Sequence, residues 1–148
     1  MSTIKPKKSS FINGAISSDF IGESIEKHQS KTTIGAHNIF LGQVRADEID
    51  GKKVTAIEYS AYETMAEESL YEIREAAFAK FDLSCLHIYH SLGLVKTGEM
   101  CLFVFVSAPR RKVTYEALEF LVEAIKEKVP IFGKEIFEDE TYIWKKNN

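Results

Sequence analysis

Three hydrophobic patterns divide the chain: apolar residues that alternate with polar ones, apolar residues that run on, and apolar residues that recur every three to four positions. Phe11 to Ile16 reads as a short strand. Ser17-Ser18-Asp19 offers a helix cap, and Phe20, Ile21 and Ile25 then share one face of a first helix. Lys31 to Thr33 is a linker. Two β-rich runs flank Asp50-Gly51, a hairpin signal, since both residues tolerate the positive φ of a tight turn. Gly42 interrupts the first run and predicts a bulge or a close backbone approach. From Glu63 to Lys80, Ala66, Leu70, Ile73 and Ala77 are spaced for the buried face of a helix, while Glu67, Glu68, Glu72 and Glu75 make a solvated acidic face. An alternating run from Cys85 and a nearly all-apolar run from Met100 follow, with a turn at Thr97-Gly98-Glu99. The second run therefore reads as a strand covered on both faces. A last helix spans about Val113 to Lys128, with Leu118, Leu121, Val122, Ile125 and Val129 as its buried stripe. Pro130 ends it by removing a donor and restricting Val129. The tail makes one or two short strands, with Trp144 packed onto the body.

The order β-α-β-β-α-β-β-α-β-β gives an α/β (α+β) class: a mixed, largely antiparallel sheet, supplied by hairpins, against two long helices. Residues 1–10 are polar and lysine-rich and read as a loose segment; 11–146 read as a single domain. The chain has 148 residues, 45% of them hydrophobic and 28% charged, with a net charge of -3. That balance argues against a general nucleic-acid or anionic-membrane surface, but leaves room for a local basic pocket. No apolar run is long enough for a membrane span, and the N-terminus lacks the apolar core of a secretory signal, so the expected location is the cytoplasm.

Cys85 and Cys101 fall in apolar runs and read as small buried side chains rather than a disulfide or redox pair. No CxxC or Cys/His cluster suggests a metal. His87 and His90 are three apart on a strand and face opposite ways, which argues against shared ligation; His28 and His37 have no sequence partners. The basic residues stand out more. Arg110 and Arg111 precede the last helix, Lys126 lies on the flank of its stripe beside Tyr115, Glu119 and Val122, and Lys134 lies just beyond its end. Cations at both ends of one rigid element suggest an anion site. A lysine on such a flank packs its stem while its ammonium is partly desolvated, or simply snorkels.

The motifs GAHNIFLGQVR, HSLGLVKTGE, VSAPR and EAIKEKVPIFGKE occur in this order from about Ile34 to Trp144. Together they resemble the large, catalytic subunit family of molybdopterin synthase, most specifically in the Lys-x-x-x-Pro run from Lys126 to Pro130. The resemblance implies a hammerhead-like fold. It implies sulfur transfer from the C-terminal Gly-Gly thiocarboxylate of a small ubiquitin-like subunit to cyclic pyranopterin monophosphate, giving the molybdopterin dithiolene. It also implies a homodimer at the core of a heterotetramer, a pocket completed by a basic loop of the neighbouring chain, and no metal or organic cofactor. Lys126 matches the main catalytic lysine, Arg45 the arginine ending the GxVR strand, and Phe40 the pocket phenylalanine. Gln43 and Val44 precede Arg45. Either Arg110 or Arg111 matches the partner-loop arginine, since the loop is one residue longer here and Pro109 replaces a histidine. The family's second lysine aligns with Gly133, leaving Lys134 as the next cation and Glu135 beside it. The alternative is a non-catalytic scaffold that binds the Gly-Gly tail without converting the pterin.

Overall fold

The computed structural model describes residues 9–146. The strands are β1 (Phe11–Asn13), β2 (Ala36–Gln43), β3 (Glu48–Ile49), β4 (Lys52–Ala61), β5 (Cys85–Lys96), β6 (Met100–Ala108), β7 (Ile131–Phe137) and β8 (Tyr142–Trp144). The helices are α1 (Ser18–His28), α2 (Glu63–Lys80) and α3 (Arg111–Lys128). The strands form one sheet in the order β2-β6-β5-β4-β7-β8, with β1 parallel to β5 and β3 beside β4. Every other pairing is antiparallel.

The class and the helix positions agree with the sequence reading, and two strand details differ. Asp50 (φ 53°) and Gly51 (φ 78°) make the tight turn, but it joins only β3 to the start of β4. The longer β2 crosses to the far side of the sheet and pairs with β6. Its turn signal was local, whereas its partner was set by the apolar face it shares with β6. The first strand stops at Asn13, because Gly14 turns the chain at φ 79°; Ile16 keeps a single bridge to Met100. Gly42 marks a register shift, and a Cβ there would meet the Leu102 Cβ at 3.2 Å.

β6 is the centre of the core, and every residue from Cys101 to Ala108 is buried. Its Leu102, Val104 and Val106 face α2 and α3 together with Leu86, Ile88, Leu70, Ile73 and Leu121. Its Phe103 and Phe105 face the other way, onto Ile16 and Ile21 of the α1 side. Each such side chain removed from water contributes about 1.5–3 kcal/mol, so covering both faces makes β6 the strand the sheet depends on. Ser17 caps α1, its hydroxyl accepting from the Phe20 N–H at 3.1 Å.

The α3 stripe is rotated from the expected one. Thr114, Ala117, Leu121, Ala124 and Ile125 are buried, while Leu118 and Val122 are half-buried flanks. Small residues at Ala117 and Ala124 let the helix backbone approach the sheet, and size-weighted periodicity overlooks them. On the acidic face of α2, Glu67 is the exception to solvation: its Oε2 accepts from Ser9 Oγ and the Ser10 N–H, both at 3.0 Å. Ser9 and Ser10 are therefore tied down, and the rest of the expected loose segment lies outside the described residues. Trp144 does not pack onto the body; it is exposed beside Tyr142. No helix among the described residues is long and apolar enough to cross a membrane.

Candidate functional site

α3 follows β6 after a two-residue bend and runs back along it. Its start lies by Ala108, and its last turn lies by His90, which pairs with Leu102 near the start of β6. The strand register then places the end of β2, and Arg45 beyond it, at the Lys126 end, because Gln43 pairs with Met100. Arg110 and Arg111 sit at the opposite end. Arg111 and Lys126 are separated by about 22 Å of helix axis at ~1.5 Å per residue. One chain therefore does not hold one anion between the two ends of α3, which corrects the expectation drawn from the basic residues alone.

At the Lys126 end, a cleft of about 430 Å³ opens between the last turn of α3 and strands β4, β5 and β7. Tyr59, His90, Ile125, Lys126, Pro130, Gly133 and Lys145 are among its lining residues. Lys126, Lys128 and Lys145 face one glutamate, Glu127, so the cleft is cationic in a chain of net charge -3. A larger groove of about 790 Å³ lies between the ends of α2 and α3. Glu116, Glu119, Glu123 and Glu127 line it against Lys80, Lys126 and Lys128, and it is shallow and acidic. Volume favours the groove, but charge favours the cleft for a phosphate-bearing ligand, and charge decides here.

Lys126 is exposed on the last turn of α3. The floor of the cleft is better ordered. The Tyr59 hydroxyl donates to Cys101 Sγ at 3.3 Å, and its ring meets His90 edge-on at 4.9 Å between centroids. Burial raises the Tyr59 phenol, and Cys101 pushes the same way. His90 donates from Nδ1–H to the Ser91 carbonyl at 2.8 Å, which leaves Nε2 as an acceptor. Burial lowers the His90 imidazole to about 4, against the effect of that hydrogen bond and with help from the Lys126 ammonium.

The unfolded chain takes up this proton near pH 6.5, and the folded chain only near 4. The contribution to stability is thus complete above pH 6.5 and is lost as pH falls towards 4, by about 3 kcal/mol at ~1.36 kcal/mol per unit. Urea unfolding of His90→Gln at pH 7 and pH 4.5 is expected to show a drop about 2–3 kcal/mol smaller than in the parent chain. An equal drop in both chains would mean that the buried imidazole is not what makes folding acid-sensitive.

The other expected site residues fall in several places. Phe40 packs half-buried against the main core. Gln43 is exposed, but the Val44 side chain is core at 2% exposure, so only its backbone is available to a ligand. Arg45 is exposed and paired with Asp47, Nε to Oδ1 at 3.3 Å. Pro109 is pressed onto Gly35, where a Cβ would overlap the Pro109 carbonyl oxygen, and this close approach fixes the course of the Arg110 loop. Arg110 is the N-cap of α3 without a side-chain capping bond, and Arg111 is the first helical residue. Gly133 lines the cleft, and a Cβ there would meet Ile57 Cγ2 at 3.0 Å and Tyr59 Cε1 at 3.3 Å. Lys134 alternates onto the other face. It pairs with Glu58 at 3.6 Å and lies over the rings of Tyr142 and Trp144. Lys134 itself is not among the residues lining the cleft, whereas Trp144 beneath it is. Glu135 returns to the Gly133 face and is buried. Tyr59 was not singled out and His90 read only as a packing or surface histidine, because each is one polar residue in a strand; only strand pairing brings them under Lys126.

The MoaE protein family matches residues 16–128. The molybdopterin synthase catalytic subunit of Bacillus subtilis is 40% identical over 117 residues, covering 79% of this chain and 74% of that protein. The subunit of the same name from Drosophila grimshawi is 42% identical over 115 residues, 76% of this chain but only 32% of that protein. The chain thus spans about a third of the insect relative's length. Among solved structures, molybdopterin synthase from Staphylococcus aureus superposes with a TM-score of 0.82 at 32% identity, over 95% of this chain and 98% of that one. A complex of subunits 1 and 2 of molybdopterin-converting factor from Helicobacter pylori contains a chain of the same fold, at TM-score 0.78 and 22% identity over 93% and 90% of the two chains.

Proposed function

The chain belongs to the MoaE protein family, and on that premise we propose that it is the sulfur-transferring large subunit of a molybdopterin synthase. The observation that carries the proposal is the cationic cleft with Lys126 at its mouth. Its ligands are two anions, the phosphate of cyclic pyranopterin monophosphate and the thiocarboxylate tail of a small ubiquitin-like subunit. Fixed cations hold both without a metal.

In this reading each thiocarboxylate sulfur forms a C–S bond at a side-chain carbon of the pyranopterin while that carbon's C–O bond breaks, the oxygen leaving as water or with the opened cyclic phosphate. The acyl–sulfur bond is then hydrolysed, releasing the tail as a carboxylate, and a second loaded tail supplies the second sulfur. The Lys126 ammonium stabilises the negative charge that develops during attack, or hands over the proton that quenches it. Arg45, at the same end of the sheet, takes the phosphate by exchanging Asp47 for it. Arg110 and Arg111 lie too far along α3 to serve the Lys126 of their own chain, so the reading assigns them to the site of a second copy in a central homodimer. Lys134, turned onto Glu58, keeps a structural part. The two free cysteines are buried and suit a reducing compartment, and the proposed location is the cytoplasm.

The test is a single-turnover assay with the thiocarboxylated partner and cyclic pyranopterin monophosphate, reading dithiolene formation. Product supports the enzyme. Tight partner binding without product would support a scaffold, a reading that Gly133 favours, since Tyr59 fills the space where the family has its second lysine. Arg45→Ala is expected to weaken pterin phosphate binding about tenfold or more, on the order of 1.5–3 kcal/mol for a charge-assisted contact, and to leave partner binding within twofold. Titration calorimetry with each ligand separates the two; equal losses would remove Arg45 from the phosphate.

A further inference from the structure

On the sheet face away from the Lys126 cleft, three residues that are scattered in sequence meet where α1 ends. His28 is the last residue of α1, and Cys85 and His87 alternate along β5 on the face α1 covers. One ligand atom from each lies within 4.8 Å of the others. His28 and Cys85 are buried, and His87 is half-buried. This corrects the sequence reading, which found no Cys/His cluster; His87 and His90 do face opposite sides as expected, and the partner of His87 is His28.

Two features aim these groups at a common centre. His28 Nδ1 lies 2.7 Å from the Ser24 carbonyl, to which it can only donate. Its Nε2 therefore presents a lone pair, and that atom stands 2.9 Å from His87 Nε2. A backbone carbonyl holding the far nitrogen is the support that metal-bound histidines usually have. Separately, the Lys31 ammonium donates to Cys85 Sγ at 3.0 Å. The surroundings are otherwise apolar and aromatic, with Phe105 edge-on to His28 at 4.8 Å. His37, at 6.4 Å from the His28 ring, is engaged with Ser107 Oγ at 2.7 Å.

We propose that His28, Cys85 and His87 form a zinc site that fastens the end of α1 to β5. Two imidazoles and one thiolate suit a borderline-soft divalent ion better than calcium or magnesium. Ligand atoms around tetrahedral zinc stand roughly 3.3–3.6 Å apart, so side-chain shifts of about 1 Å close the site without moving the backbone. Binding makes two Zn–N bonds and one Zn–S bond. The thiol proton, where present, leaves to solvent, and the proton His87 shares with His28 Nε2 moves to His87 Nδ1. Water completes the tetrahedron. The ion takes no part in sulfur transfer, because the sheet separates it from Lys126. Without it, α1 rests on the small Ile16–Ile21–Phe103–Phe105 cluster.

The experiment is a Co²⁺ titration of the reduced full chain, followed by Zn²⁺. A near-ultraviolet sulfur-to-cobalt charge-transfer band and the visible bands of four-coordinate cobalt are expected, saturating at equimolar metal and bleached by Zn²⁺. Cys85→Ser is expected to lose the charge-transfer band. His87→Gln, at a half-exposed position where folding is less at risk, is expected to weaken Co²⁺ binding by ~10-fold or more. Zn²⁺ should raise the Tm of the parent chain by more than that of His87→Gln. Absence of the charge-transfer band from the parent chain, its survival in Cys85→Ser, or undiminished Co²⁺ affinity in His87→Gln would each overturn the proposal, whatever the outcome of the sulfur-transfer assay.

Discussion

Lys126→Ala is expected to lower single-turnover conversion by about 10²–10³-fold, the loss that follows removal of one preorganised charge-stabilising donor, about 2.7–4 kcal/mol. The fold should hardly change. Lys126 is exposed on the last turn of α3, and the buried residues beside it, Ala124 and Ile125, carry the packing. Surface substitutions of this kind usually stay within about 0.5 kcal/mol in stability. Partner binding should weaken far less than conversion, because a stable protein–protein interface spreads over about 20–30 residues a side. Product formation and urea unfolding on the same preparation distinguish a chemical loss from a folding loss. Turnover within a few-fold of the parent chain would remove Lys126 from the mechanism.

The second large effect comes from mixing variants. Arg110→Ala/Arg111→Ala should be nearly inactive as a pure homodimer, as should Lys126→Ala. If each pocket takes its lysine from one chain and its arginine from the other, a mixed dimer has one dead site and one complete site. Random exchange makes half the dimers mixed, so about a quarter of parent activity should return, given a two-fold symmetric interface. The geometric reason is the length of α3, which keeps the two basic clusters about 22 Å apart within a chain at ~1.5 Å per residue. No recovery, in a mixture shown to contain mixed dimers, would place the arginines outside the shared pocket. Changing both arginines avoids choosing between the N-cap and the first helical residue.

Much of this layout was legible in the sequence because local rules governed it. The Ser17 cap, the Asp50-Gly51 turn, the Pro130 stop and the all-apolar run of β6 each depend on residues next to one another, and each reads correctly. What failed depended on distance. The partner of β2 was set by a face shared with a strand more than fifty residues away. The α3 stripe was misplaced because two alanines, Ala117 and Ala124, do the close packing. The candidate site splits the same way. The motif order singled out Lys126 and Arg45, and the fold puts both at one end of the sheet. Tyr59 and His90, which form the floor beneath Lys126, carry no local signal, and neither did the meeting of His28 with His87 across 59 residues. Whether Lys134 reaches the pocket was left open by the sequence; strand alternation turns it to the face opposite Gly133, onto Glu58.

The tight fit of Gly133 against Tyr59 and Ile57 has a consequence for how this lineage can change. A lysine at 133 and a tyrosine at 59 compete for one volume, so their effects are not additive. A lysine placed at 133 alone requires Ile57 and Tyr59 to give way by a few tenths of an ångström. Shrinking Tyr59 alone removes its hydrogen bond to Cys101 and opens a void beside His90. Each single change disturbs packing that the other residue takes part in, so the two positions are coupled.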